Sequence, residues 1–370
     1  MNTEAHRTGM TAMTAVSPAD GPIGVTGASG YIGSWIVYDL MAQGYRVHAC
    51  VRDLNNPAKV EHLTALNSNR HLRGEVELFR GELFERGSYD EAFAGYSAVL
   101  HAGATVGYNR ETPQQVYDGC FTENDHVLAA ARKSGNLKRF VFTSSFDAVS
   151  HPRPAGYVFT EKDWCGDNLE AYRGSWTEDR IPENRDLAYA MAKANTERMI
   201  YQAAEQDGSF DAMAILPVHV IGPLMSANHD QGWSWQNCMK FMMAGQPYKK
   251  TPGGRMLWNI VDVRDAGKAH RLAAESTTAT NGSRYILAAR DRSGELFTWQ
   301  LRQRLHELFP GVQEIGGEEM DGDRPAKDTH DAPRSYCLLA MQELGLVPHD
   351  ADDTIRATID SYYGLGLIPV

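Results

Sequence analysis

Tyr189 and Lys193 stand four residues apart in a segment rich in helix formers, Tyr189-Ala-Met-Ala-Lys193, which continues to Met199. On a helix, that spacing places a phenol and an ammonium on one face. A free phenol titrates at about pH 10, and a neighbouring cation favours its phenolate. The pair therefore predicts general acid–base chemistry, with the Tyr189 pKa drawn toward neutral pH. Lys193 could also hydrogen-bond a nicotinamide ribose. Upstream, Val141-Phe-Thr-Ser144-Ser145 ends in two hydroxyls. One of them could hold a substrate oxygen while Tyr189 exchanges its proton. A third feature, Thr26-Gly27-Ala-Ser-Gly30-Tyr-Ile-Gly33, sets glycines at 27, 30 and 33 between an apolar run and a helical pattern. Such a loop turns tightly, brings its backbone against a pyrophosphate and packs the following helix close, and each task excludes a Cβ. The spacing is GxxGxxG rather than the commoner GxGxxG, so its weight rests on the flanking strand and helix.

These groups need a scaffold that brings them to one edge. Apolar runs at Ile23–Thr26, Arg46–Val51, 76–79, Ala98–His101 and Arg139–Thr143 alternate with helical segments, notably 124–133. Gly44 is expected to end the first helix. The alternation predicts right-handed βαβ units and an α/β, Rossmann-type doubly wound parallel sheet. Both serines then lie at the carboxyl edge, where open sheets of this kind bind ligands. After 214–217 the texture changes: Trp233, Trp235, Met239, Phe241, Met242 and Met243 crowd one stretch. We expect a flexible tail over 1–20, a dinucleotide-binding domain over 21–217 and a smaller substrate-binding lobe over 218–370. Segments around 259–290 should return to the first domain. An amphipathic helix is expected over 354–363 and a polar surface loop over 316–330.

The second strand ends in Val51-Arg52-Asp53, with Lys59 soon after. An acidic residue there would hold a free ribose 2′-hydroxyl, and a cation would hold a 2′-phosphate. Arg52 offers a planar fork and Lys59 a second charge, which favours NADP; Asp53 on the ribose of NAD is the alternative. The 370 residues are 42% hydrophobic and carry a formal charge of −11, which excludes a mainly disordered chain and argues against a nucleic-acid or anionic-membrane surface. Five cysteines without a CxxC pair point to buried thiols rather than disulfides, and thirteen histidines in no ligand-like cluster point to no metal. With no secretion signal or membrane-spanning run, the expected compartment is the cytoplasm.

Val25-Thr-Gly-Ala-Ser-Gly-Tyr-Ile-Gly33, Val51-Arg-Asp53, His101-Ala-Gly-Ala104, Phe140-Val-Phe-Thr-Ser-Ser145, Tyr189-Ala-Met-Ala-Lys193, Leu216-Pro-Val-His-Val-Ile-Gly-Pro223 and Asn259-Ile-Val-Asp-Val-Arg-Asp-Ala266 follow one another in order. With these motifs the chain resembles the extended short-chain dehydrogenases/reductases, in particular the dihydroflavonol reductase, cinnamoyl-CoA reductase and aldehyde reductase group. The resemblance implies Ser145, Tyr189 and Lys193 as catalytic residues. It implies NADP contacts from Gly27, Ser29, Gly30, Tyr31, Ile32 and Gly33, and from Arg52, Lys59, Glu82 and Leu83. Further contacts are implied for Ala102, Gly103, Ala104, Thr143, Ser144, Tyr189, Lys193, Pro217 and Val220. The chain departs from the family in two places: Glu82-Leu83 stands where Asp-Leu is usual, and the fourth-helix Asn has only Asn124 and His126 as candidates. The step of 44 positions from Ser145 to Tyr189 resembles the insert of fungal aldehyde and ketone reductases.

Val106, Tyr108, Phe146, Trp233 and Met242 are the expected substrate wall, which suits a bulky apolar or aryl carbonyl compound. The expected activity is NADPH-dependent carbonyl reduction, reversible as alcohol oxidation, in a monomer or homodimer acting on a small molecule. Alternatives are a 3β-hydroxysteroid dehydrogenase, a sugar-nucleotide epimerase or dehydratase, and a catalytically silent NADP-binding sensor.

Overall fold

Strand β1 (Ile23–Thr26) is buried at all four positions, the signature of a central strand covered on both faces. The computed structural model describes residues 15–104, 112–150, 156–166, 185–230, 234–246, 257–312, 315 and 334–368. Parallel partners on either side of β1 are β2 (Arg46–Val51) and β4 (Ala98–His101). The sheet continues through β3 (Glu75–Arg80) on one side and β5 (Arg139–Thr143), β7 (Asp211–Pro217) and β10 (Ser283–Leu287) on the other. Its order, β3-β2-β1-β4-β5-β7-β10, reverses direction between β1 and β4. That switch point opens a crevice at the carboxyl ends of the strands. The expected doubly wound sheet is therefore the observed one.

Helix α1 (Tyr31–Ala42) follows the glycine loop directly, and Gly44, at φ 91°, turns the chain into β2. Helix α2 (Pro57–Thr64) lies between β2 and β3. Helix α3 (Pro113–Lys133) is longer than the expected 124–133 because Thr112 and Gln115 form a capping box ahead of it, with Pro113 in its first turn. Helix α4 (Arg185–Asp207) carries the Tyr-Lys pair and packs beside α3. At the start of β5, Arg139 is fully buried and lies 2.8 Å from Asp211 at the start of β7. Its guanidinium also donates to the Ser276 and Ala279 carbonyls at 2.9 and 3.0 Å, which ties the approach to β10 onto the sheet. A two-residue strand, β6 (Val158–Phe159), sits outside the large sheet.

The smaller lobe has its own three-stranded sheet, in which β9 (Leu257–Asp262) runs between β8 (His219–Ile221) and β11 (Glu295–Phe297). Helices α5 (Trp235–Met243), α7 (Thr298–Leu308) and α9 (Ala351–Gly364) close over a core that includes Met239, Met242, Trp258, Leu301 and Ile359. Helix α6 (Val263–Glu275) packs on α1, and α8 (Leu338–Leu344) lies against β10. The stretch 259–290 thus divides: α6 and β10 rejoin the large sheet, whereas β9 belongs to the small one. Strand β12 (Arg334–Ser335) pairs with β6.

The expected tail is corrected from residue 15 onward. Val16 is 2% exposed, its N–H donates to the Ala274 carbonyl, and its own carbonyl accepts from the Tyr45 hydroxyl. Asp20 pairs with Lys138 at 2.6 Å. One apolar side chain, two hydrogen bonds to its backbone and one ion pair hold a segment whose composition reads as loose. The 316–330 loop lies outside the described residues, as do Val106, Tyr108 and Trp233. Among the described residues, no helix is long and apolar enough to cross a membrane.

Candidate active site

The glycine loop leaves β1 at Thr26 and enters α1 at Tyr31. Gly27 has φ 61°, and a Cβ there would lie 2.6 Å from the Gly103 Cα. At Gly33 a Cβ would come within 2.1 Å of the Gly27 carbonyl oxygen. Both positions exclude side chains, so the loop stays bare at the switch point where a pyrophosphate would rest against the N-terminus of α1. Ser29, Gly30 and Ile32 remain at least partly exposed along this cradle. The chain's residues fit a dinucleotide on that ground.

Thr26 joins the loop to the turn after β4. Its Oγ1 accepts from the Gly103 N–H at 3.1 Å and shares a hydrogen bond with His101 Nδ1 at 2.6 Å. His101 can accept it because burial, reinforced by the Lys193 charge, pushes its pKa down to about 3. The Ala102, Gly103 and Ala104 turn is thereby locked beside the glycine loop. Tyr31 donates to the Gly222 carbonyl at 2.7 Å, and the Trp35 indole donates to that of Pro223 at 2.9 Å. The first turns of α1 thus hold the chain leaving β8 and join the two lobes. Pro217 ends β7 and Val220 is buried in β8, both close to this junction.

Arg52 follows β2 and is largely exposed, with its Nε 3.0 Å from the Glu82 carboxylate. Lys59 lies in α2 and is partly exposed. The carboxylate that replaces the usual Asp therefore holds Arg52 beside the end of β2. Leu83 is buried, and its carbonyl is 2.9 Å from His126 Nδ1. Asn124 is buried, donates to the Cys120 carbonyl at 2.7 Å and also meets His101. Of the two candidates for the fourth-helix Asn, only Asn124 thus adjoins a residue that senses the Lys193 charge.

At the end of β5 the two serines separate. Ser144 is buried, and its hydroxyl donates to Glu197, which is itself paired with Arg284 at 2.7 Å. Ser144, expected at the cofactor, commits its hydroxyl to a buried carboxylate. Ser145 is partly exposed and lies beside Tyr189, close enough to favour its phenolate. Lys193 sits one turn further along α4, its Nζ 5.6 Å from the centre of the Tyr189 ring and 3.5 Å from the Thr143 carbonyl. The Thr143 hydroxyl is 2.8 Å from His270 Nε2. Ser145, Tyr189 and Lys193 therefore converge, as their order in the sequence implies.

One expectation about this cluster is overturned. The Tyr189 pKa is raised, not lowered: burial is the largest cause, followed by the charge of Asp147, while the Ser145 hydroxyl pulls the other way. Desolvation of the phenolate outweighs the nearby ammonium, and the Tyr189 phenol stays neutral. Met242, expected on the substrate wall, is fully buried in the core of the small lobe. Beside Ser145, the half-buried Phe146 meets the buried Phe159 edge-on at 5.4 Å, and Phe159 meets Tyr157 at 5.1 Å.

Two features escaped the sequence reading. His62 of α2 and His229 of the small lobe both direct Nε2 at the Ser34 hydroxyl, at 2.9 and 3.3 Å. No local signal announces this, because three distant segments meet only in the fold. Asp147, whose Oδ2 is 3.1 Å from Ser145 Oγ, had a signal in its Ser-x-Asp spacing.

Residues 23–288 match the model of the NAD dependent epimerase/dehydratase family. The chain is 29% identical over 346 residues to a cinnamoyl-CoA reductase of Medicago truncatula, which covers 91% of this chain and 94% of that protein. It is 33% identical over 211 residues to a dihydroflavonol 4-reductase of Hordeum vulgare, covering 56% of this chain and 55% of that one. The crystal structure of Gre2 from Candida albicans in complex with NADPH superposes with a TM-score of 0.75 at 21% identity, covering 93% of this chain and 99% of that one. The chain belongs to the NAD dependent epimerase/dehydratase family.

Proposed function

We propose that this protein is an NADPH-dependent carbonyl reductase acting on bulky apolar or aryl aldehydes and ketones. The observation that carries the reading is the convergence of Ser145, a neutral Tyr189 and Lys193 at the carboxyl end of β5, beside the glycine loop. The glycine loop would hold the pyrophosphate, Arg52 and Lys59 the 2′-phosphate, and Lys193 the nicotinamide ribose. The reduced nicotinamide supplies a hydride. Ser145 hydrogen-bonds the substrate oxygen, and Tyr189 gives it a proton as negative charge develops there. The raised pKa of the phenol favours this direction, since oxidation of an alcohol would require the phenolate as base. The names of the reductases this chain is similar to, and the NADPH complex it superposes on, support the same reading. The half-buried Phe146 ring beside Ser145, backed by Phe159, supports an aryl or other bulky apolar substrate.

A panel of aryl ketones, aryl aldehydes, hydroxysteroids and UDP-sugars, each assayed with NADPH and with NADH, tests the proposal. Turnover of aryl carbonyls with NADPH is expected. Turnover confined to sugar nucleotides or to steroids would replace the reading. Cofactor choice has its own test in Arg52→Ala. Charge-assisted hydrogen bonds are worth about 1.5–3 kcal/mol each, and solvent screening at this exposed position reduces that toward the lower end. NADPH affinity, measured by nicotinamide fluorescence, should fall about tenfold or more while NADH affinity barely moves. Equal losses would show that Arg52 does not touch the 2′-phosphate.

A further inference from the structure

Two residues after the proposed catalytic serine stands a carboxyl group that the mechanism above does not use. Ser145 caps a short 3-10 turn (Phe146–Ala148), and the Asp147 N–H donates to its Oγ at 3.2 Å. The Asp147 carboxyl turns back to the same atom at 3.1 Å. Tyr189 lies beside Ser145 as well. One hydroxyl is thus offered three neighbours, two on Asp147 and one on Tyr189, before any substrate arrives.

We propose that Asp147 is a positioning residue that controls the direction of the Ser145 hydroxyl, releasing it toward the substrate oxygen only when the Asp147 carboxyl is protonated. This rests on the carbonyl-reductase reading above. A serine hydroxyl has one hydrogen to give and two places to accept. The Asp147 N–H fills one acceptor place in either state. An ionised carboxylate can only accept, so it draws the single hydrogen to itself, and a bond to an ionised partner is roughly twice as strong as a neutral one. A substrate carbonyl then finds no donor on Ser145. A protonated carboxyl donates into the second acceptor place on Oγ, and the serine hydrogen is left for the substrate. The Asp147 charge acts in the same sense on Tyr189, because it raises the phenol pKa and weakens the proton donor.

The groups around Asp147 divide in their effect. On its own turn, Ser145 and Ser150 bond the carboxylate and favour ionisation. From α4, the Lys193 charge also favours ionisation, Asp186 opposes it, and Tyr189 lies alongside. From α3, Cys120 and Glu123 face Tyr189. Burial is the largest influence and raises the Asp147 pKa above the ordinary carboxylate value.

Asp147→Asn tests the proposal, because the amide keeps the shape and donates to Ser145 Oγ at every pH. In the wild type, kcat/KM for carbonyl reduction should fall with rising pH through one ionisation that lies above the ordinary carboxylate range. In D147N that limb should vanish, leaving the variant about 3–10-fold above the wild type at the alkaline end, the worth of one net hydrogen bond. NADPH affinity by fluorescence should be the same in both proteins. Independently of turnover, 13C NMR of aspartate-labelled protein should show a carboxyl resonance, absent from D147N, that titrates above the ordinary value of about 3.9. Identical pH profiles, a variant slower at every pH, or an ordinary titration would each overturn the role of Asp147. A wild type that turns over no carbonyl compound sinks the underlying reading and this role with it, whereas turnover with unchanged profiles sinks this role alone.

Discussion

Tyr189→Phe is expected to lower kcat for carbonyl reduction by about 10²–10⁴-fold, the loss of a general acid. The change removes one oxygen and keeps the ring. Tyr189 lies in α4 between the buried Ala188 and Ala190, and phenylalanine occupies the same volume there. NADPH affinity and thermal stability should therefore stay near those of the wild type. The loss belongs in kcat because proton transfer to the substrate oxygen is made only in the transition state. Ser145 and Lys193 remain in place in the variant, so residual turnover measures what hydrogen bonding and positioning achieve without the acid. Steady-state kinetics at saturating NADPH, with Kd measured separately, gives both quantities. Near-normal turnover would move the proton donor to another group. The raised phenol pKa adds a sign: reduction by the wild type should show no loss from ionisation of Tyr189 through the neutral range, whereas oxidation of the alcohol should speed up with rising pH.

Much of this was legible in local sequence because the signals themselves are local. The glycines at 27, 30 and 33 act through the absence of a Cβ against backbone within a few residues or on the adjoining strand, and the Tyr-Lys pair acts through helical spacing. Alternation of short apolar runs with helical segments is likewise enough for the parallel sheet. What the sequence hid depends on burial. Met242 reads as a candidate pocket residue, yet its helix turns it into the core of the small lobe. The sign of the Tyr189 shift needs two competing magnitudes, and spacing shows only the ammonium that favours the phenolate, not the desolvation that outweighs it. Val16 looks like part of a polar tail until Tyr45 and Ala274 are seen to hold its backbone. Ser144 and Ser145 are alike as letters, and only the fold shows that Glu197 and Arg284 lie behind the first of them.

That difference makes the two serines separable by experiment. Neighbouring strand residues point to opposite faces, so one hydroxyl at the end of β5 turns inward while the other turns toward Tyr189. Ser145→Ala removes a donor to the oxygen on which charge develops, and kcat/KM should fall by about 10–10³-fold with little change in NADPH affinity or melting temperature. Ser144→Ala removes a hydrogen-bond partner from Glu197, a fully buried carboxylate whose remaining partners are Arg284 and, more distantly, the Tyr201 hydroxyl. Leaving a buried acceptor under-satisfied costs about 1–3 kcal/mol, so this variant should melt several degrees lower and yet keep most of its kcat/KM. The contrast is the test, because each variant has a readout that the other leaves alone. A larger catalytic loss at Ser144, with its stability intact, would exchange the two roles. Full activity in both variants would leave Tyr189 as the sole protein contact to the carbonyl oxygen.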